Sequence, residues 1–152
     1  MSTQPHPPGG LFDGPVHLYA VRVYYEDTDL SGVTYHANYL RWFERARSDV
    51  LRLLKIDQRA AIEAGTGAYA VADMALKYLR PAKLDDDIVI RTYCTDIRAA
   101  SVKMSQHALR GEDVLCTASL RIGFVAPDGR PRRQPEKWCD AFKTVLTEEM
   151  SQ

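Results

Sequence analysis

The residues best suited to chemistry fall in one stretch, Tyr24-Tyr25-Glu26-Asp27-Thr28-Asp29-Leu30-Ser31-Gly32-Val33-Thr34-Tyr35-His36-Ala37-Asn38-Tyr39. Two aspartates, a glycine turn and a histidine stand together there, and a helical apolar pattern begins at its end. A helix start offers unpaired N–H groups and partial positive charge. Those groups can hold an anion or polarise a carbonyl oxygen. Asp29 precedes His36 by seven residues, which lets the chain fold back and set the carboxylate beside the helix start. A base or nucleophile next to an oxyanion stabiliser is what acyl transfer requires.

Other readings of the segment stay open on residue types alone. It can be a solvated acidic turn with a helix cap. Asp27-x-Asp29-x-Ser31-Gly32 also matches the first six positions of an EF-hand loop, but position twelve is Asn38 instead of a bidentate Glu, and a strand leads into the segment where a helix should. Asp27, Asp29 and His36 are acceptable transition-metal ligand types without a metal-site spacing.

The elements that must position this segment follow from periodicity. Residues 17–24 read as a strand. Tyr39, Phe43, Ala46, Val50 and Leu54, reinforced by Leu40 and Leu51, make one apolar stripe and predict a helix over 36–54, roughly 28 Å long. Arg41, Arg45, Ser48 and Arg52 occupy another face. Further helical turns around 58–64 end at Gly65 or Gly67. Strands are expected at 68–80, 88–97, 102–109 and 114–125, and a last helix at about 135–146. Consecutive strands with short connections are expected to be antiparallel neighbours. The plan is α+β, an antiparallel β-sheet wrapped around one long central helix. One sheet on one helix leaves a face open, which pairing of two copies would cover.

Composition bounds the function. The 152 residues suit one domain. Lys plus Arg and Asp plus Glu are 20 each, so neither nucleic acid nor a membrane surface is the expected partner. No apolar run approaches the ~20 residues of a membrane span. Residues 1–21 hold no Lys or Arg and no apolar core of a signal peptide. Pro5, Pro7, Pro8, Gly9, Gly10, Gly14 and Pro15 predict a disordered N-terminal tail over 1–15, ahead of a single domain over 16–147. Cys94, Cys116 and Cys139 are too widely spaced for a zinc or redox pair and fit a reducing cytoplasm.

The segment 24–39 resembles the signature of the hotdog-fold acyl-CoA thioesterases of the 4-hydroxybenzoyl-CoA thioesterase type, closest to the branch associated with the Tol–Pal cell-envelope system. The likeness continues through Trp42-Phe43-Glu44-Arg45-Ala46-Arg47 and Leu79-Arg80-Pro81-Ala82, and spans about residues 18–143. It implies a hotdog fold and hydrolysis of an acyl-coenzyme A thioester without metal or organic cofactor. The implied catalytic residues are Asp29, as base or nucleophile, and His36, whose backbone N–H polarises the carbonyl. Tyr25 and Asp27 are expected to shape or tune Asp29, since a nearby like charge raises a carboxylate pKa. The resemblance also implies a site between two subunits of a homodimer or homotetramer, with acyl-CoA or an acyl carrier protein as partner. Competing functions are a hotdog protein that binds acyl chains or envelope partners without turnover, and a hydroxyacyl-thioester dehydratase.

Other residues were candidates for lesser roles. Glu44 lies in the helix beside Arg45 and Arg47, where an ion pair is expected over catalysis. His107 reads as structural, and nothing converges on His6 or His17. The coenzyme A phosphates call for basic partners, and the resemblance favours the strand-turn cluster Arg98, Ser101 and Lys103 over Arg130, Arg132 and Arg133.

Overall fold

The computed structural model describes residues 3–149. Along the chain run β1 (Leu11–Asp13), β2 (Val16–Arg22), a 3-10 turn (Tyr25–Asp27), α1 (Asn38–Leu53), α2 (Gln58–Glu63), β3 (Ala68–Tyr78), β4 (Asp87–Ile97), β5 (Ser101–Arg110), β6 (Asp113–Val125) and α3 (Glu136–Lys143).

Helix α1 is the hub. Tyr39, Trp42, Phe43, Ala46, Val50 and Leu51 recur every three or four residues and are buried against the sheet. Full burial of Phe43 and of Val50 contributes about 1.5–3 kcal/mol each. Trp42 belongs to the buried face, whereas Leu40 is exposed, so the stripe is rotated slightly from the sequence expectation. Its partners across the interface include Ile88, Ile90, Met104, Leu115 and Leu120. One polar seam crosses this core. Gln106 Nε2 donates to the Phe43 carbonyl and to Thr92 Oγ1, both at 3.0 Å, and Gln106 Oε1 accepts from Arg47 at 2.9 Å.

The six strands form one antiparallel sheet in the order β1-β2-β4-β5-β6-β3. Strands β4, β5 and β6 are neighbours joined by tight turns, as expected. Strand β3 departs from the expectation: it pairs with β6, not with the β4 that follows it. The cause is the connection 79–86, whose backbone is committed elsewhere. Ala82, Lys83, Leu84 and Asp85 bond to Thr34, Val33, Gly32 and Val23, so the chain crosses from one sheet edge towards the other past the start of α1. Strand β3 is left on an open edge, with none of its residues fully buried.

A second departure concerns the N-terminus. Residues 11–15 are not a tail. Gly14, at φ +59°, and Pro15 make a two-residue hairpin turn that pairs β1 with β2. The Gly10 N–H then donates to the buried Asp49 carboxylate at 2.9 Å. Met1 and Ser2 lie outside the described residues.

At the other end α3 brings Phe142 and Val145 into the core, and Leu146 bridges to Cys94 where β2 has stopped. Beyond it Glu149 bonds to His107, which is buried on β5. Among the described residues no helix is long and apolar enough to cross a membrane.

Candidate active site

Asp27 organises the loop between β2 and α1. The 3-10 turn buries its side chain, which accepts from the Tyr24 N–H at 2.8 Å and from Asn38 Nδ2 at 2.6 Å. Its carbonyl accepts from the Tyr35 N–H at 2.8 Å. Both ends of the loop are therefore held by one residue. Between them the chain makes a small hairpin: Thr28 bridges Thr34, and the Asp29 N–H donates to Val33 O at 2.9 Å. Gly32 closes its tip at φ +81°, in the left-handed region that a side chain disfavours. The bonds from Thr34 and Val33 to 82–83 fix this hairpin to the chain entering β4.

Asp29 is carried on that hairpin with its carboxylate exposed. Oδ1 accepts from the Ser31 hydroxyl at 2.5 Å and from the Ser31 N–H at 2.8 Å. These bonds to the charged form, the hydroxyl first, hold the carboxyl below its ordinary range. The expected tuning by Asp27 is not realised: Asp27 is turned into its own brace, and Asp29 is shifted down instead of up. Asp29 is thus ionised at neutral pH. Tyr25 is 81 % exposed, and its carbonyl accepts from the Thr28 N–H and hydroxyl.

His36 stands two residues before the first residue of α1, with Ala37 as the cap, so the helix starts slightly later than the pattern suggests. Among the described residues the His36 N–H has no hydrogen-bond acceptor. Its carbonyl accepts from Tyr78 Oη at 3.0 Å, and its ring lies against Tyr35 and edge-on to Tyr78. The end of β3 therefore positions the start of α1. Beside them opens a cavity of about 280 Å³, lined by Val33, Thr34, His36, Tyr39, Tyr78 and Leu79 with neighbouring Arg80 and Pro81. Burial pushes the Tyr39 phenol up to about 12, so it stays protonated. Tyr39, Tyr78 and Asn38 were absent from the sequence-based site. Only their place in the tertiary fold, across the α1–β3 contact or under Asp27, brings them in.

The other predicted residues lie apart. Arg98 pairs with Asp96 at 3.1 Å, Ser101 Oγ accepts from Arg121 at 3.0 Å, and Lys103 is exposed on β5. Their turn joins β4 to β5 at the end of β4 remote from Asp87, whereas the Asp29 hairpin sits near the Asp87 end. At ~3.3 Å per residue those ends are about 33 Å apart. One chain does not bring the two groups together. Glu44 makes no ion pair with Arg45 or Arg47 among the described residues; Arg47 donates to Gln106 instead. His17 does have a partner, Asp49, at 2.7 Å. No cluster of three or more His, Cys, Asp or Glu among the described residues is arranged to hold a metal ion.

Residues 31–117, from the tip of the Asp29 hairpin into β6, match the thioesterase superfamily. The chain belongs to this family. The acyl-CoA thioesterase YbgC of Haemophilus influenzae is 39% identical over 107 residues, 70% of this chain and 79% of that one. The acyl-CoA thioester hydrolase YbgC of Escherichia coli O6:H1 is 39% identical over 125 residues, 81% of this chain and 92% of that one. A probable thioesterase from Bartonella henselae superposes with a TM-score of 0.75 at 37% identity, over 79% of this chain and 99% of that one. The fold is the hotdog fold, and the protein is a thioester-hydrolysing enzyme.

Proposed function

We propose that the protein hydrolyses acyl-coenzyme A thioesters to the free acid and coenzyme A, with Asp29 and His36 as its catalytic residues. The observation that carries this is that one braced loop bears both an exposed, ionised carboxylate and, at a helix start, an N–H with no acceptor among the described residues. The identity to acyl-CoA thioesterases over most of the chain supports the substrate class. Asp29 removes a proton from water as the water oxygen bonds to the carbonyl carbon, or attacks that carbon itself to form a mixed anhydride that water cleaves after the thiolate has left, releasing the acid and restoring the carboxylate. The His36 N–H donates to the developing oxyanion. The C–S bond then breaks, and coenzyme A leaves as the thiolate and takes up a proton. No metal or organic cofactor enters these steps.

The active unit in this reading is a homodimer, alone or within a tetramer, in the cytoplasm. Its support is β3, an eleven-residue open edge with Val71, Tyr78 and the adjoining Leu79 exposed. An edge of that length without proline is a template for another strand. Antiparallel pairing of β3 with its copy reverses the partner's strands. The turn bearing Arg98, Ser101 and Lys103 of the partner subunit then lies at the Asp29 end of the sheet, where it can meet coenzyme A phosphates. The resemblance of the 24–39 motif supports reading the enzyme as one of the 4-hydroxybenzoyl-CoA type, nearest the Tol–Pal-associated branch, with an acyl carrier protein thioester as a further substrate of the same chemistry.

The test is free-thiol release from acetyl-, medium-chain, palmitoyl- and 4-hydroxybenzoyl-CoA by wild type and Asp29→Asn, with sedimentation of both proteins. Asp29 is exposed, so the variant folds and assembles, and its turnover falls by roughly 10²–10⁴. Near-normal turnover in a folded variant would remove Asp29 from the mechanism.

A further inference from the structure

Arg47 is a buried cation that makes no ion pair among the described residues. Its side chain is 9 % exposed, and its described hydrogen bond goes to the neutral Gln106 amide. Glu44, one turn earlier on α1, interacts with it only through space. Burial of such a charge is costly unless it is paired. Beside it lies a cavity of about 240 Å³, lined by Glu44, Arg47, Ser48, Gln58 and Tyr69 on its polar side and by Leu51, Val71 and Ile122 on its apolar side. That is the volume of about eight waters at roughly 30 Å³ each. Tyr69 Oη is already committed to Gln134 at 2.6 Å. The guanidinium keeps donors to spare, since Arg has five N–H groups.

The position of this cavity matters as much as its lining. It sits at the Ala68 end of β3, while Asp29, His36 and Tyr78 sit at the other end. The ten steps of β3 between those ends span about 33 Å, too far for one short acyl chain within one subunit. Full overlap of two antiparallel β3 edges sets the Ala68 end of each strand against the Tyr78 end of its partner. The Arg47 cavity of one subunit then adjoins the His36 cavity of the other.

We infer that Arg47 is a specificity residue that binds a carboxylate at the far end of the acyl group, in an active site completed across the β3–β3 interface. This rests on the thioesterase reading above and names the acyl class it takes. The thioester carbonyl sits at Asp29 and His36 of one subunit. The acyl chain runs along the apolar wall, and its terminal carboxylate meets the unpaired guanidinium of the other. Ser48 and Gln58 supply further donors.

Adipoyl-CoA and hexanoyl-CoA, which differ only in a terminal carboxylate, test this. Wild type is expected to favour adipoyl-CoA in kcat/KM by about ten-fold or more, the discrimination of one charge-assisted hydrogen bond. Arg47→Met should bring the ratio near one, mainly through the adipoyl KM. Arg47→Lys, which keeps the charge, should retain part of the preference. Because each ratio is taken within one protein sample, partial unfolding of a variant cancels from it. A wild-type ratio near one, or a ratio unchanged in Arg47→Met, would overturn the assignment. Calorimetric binding of hexanoate, whose free carboxylate stands in for the acyl terminus, against its neutral isostere hexanamide provides a readout independent of turnover. Hexanoate binding lost in Arg47→Met supports the site even if neither thioester is cleaved, an outcome that would overturn the hydrolase reading alone. Equal binding of hexanoate and hexanamide by wild type would overturn the carboxylate site.

Discussion

Asn38 Nδ2 donates to Asp27 Oδ1 at 2.6 Å, so the first residue of α1 is tied to the 3-10 turn eleven residues before it. Both side chains are buried. This bond, more than any contact of Asp29 itself, determines where the Asp29 hairpin stands relative to the helix start. Asn38→Leu removes the donor and leaves a buried carboxylate oxygen unsatisfied, at about 1–3 kcal/mol. Urea denaturation should show that loss. Turnover should fall as well, in kcat more than in KM, although neither Asp29 nor His36 is altered. A stable variant with normal kcat would show that the hairpin holds its place without the brace.

The Ser31–Asp29 pair governs acid sensitivity. A carboxylate held below its ordinary range by the Ser31 hydroxyl and N–H stays ionised, and so competent as base or nucleophile, well into acid. With Asp29 as the proposed base or nucleophile, activity should be present above that lowered pKa and be lost as pH falls through it. Ser31→Ala removes the hydroxyl bond, lets the pKa rise and moves the acid limb of kcat/KM to higher pH, while the rate at neutral pH changes little. Profiles from pH 3 to 8 for the two proteins check this. Superimposed acid limbs would mean that another group controls the limb.

Much of this was legible in the chain. The stripe over 39–54 announced α1 because a helix buried on one side must repeat its apolar residues every three or four positions. The strand alternation of 102–109 and 114–125 likewise marked β5 and β6. What failed was non-local. The pairing of β3 with β6 depends on hydrogen bonds that residues 82–85 make to the Asp29 loop, and no periodicity encodes them. The β1 hairpin was hidden in a Pro- and Gly-rich segment that composition marks as a tail. In the candidate site, Asp29 and His36 stood out through the resemblance of the 24–39 motif, with type and spacing in accord. The brace from Asn38 and the contact from Tyr78 did not, since a buried amide and an exposed tyrosine look ordinary until the fold brings them to Asp27 and His36. Glu44 was expected to form an ion pair with its neighbours Arg45 and Arg47. The burial of Arg47 towards Gln106 follows from the helix's rotation on the sheet, which one sequence fixes only loosely.

His17 and Asp49 make the fold itself sensitive to acid. His17 Nε2 lies 2.7 Å from Asp49 Oδ2, the oxygen that also accepts from the Gly10 N–H, and the imidazole is fully buried. Among the described residues its Nδ1 has no partner. Burial lowers the His17 pKa from its ordinary 6.5, against the opposing pull of Asp49. The unfolded chain therefore binds this proton at a higher pH than the folded one. Between the two values the unfolded state holds more protons, and stability rises with pH there. Acidification from about pH 6.5 downward should weaken the fold until the folded-state value is reached. Urea midpoints measured between pH 8 and pH 5 should fall for wild type. They should fall less for His17→Gln, which keeps a donor for Asp49 but cannot titrate. Equal slopes in the two proteins would show that His17 is charged in the native state or that other groups carry the acid response.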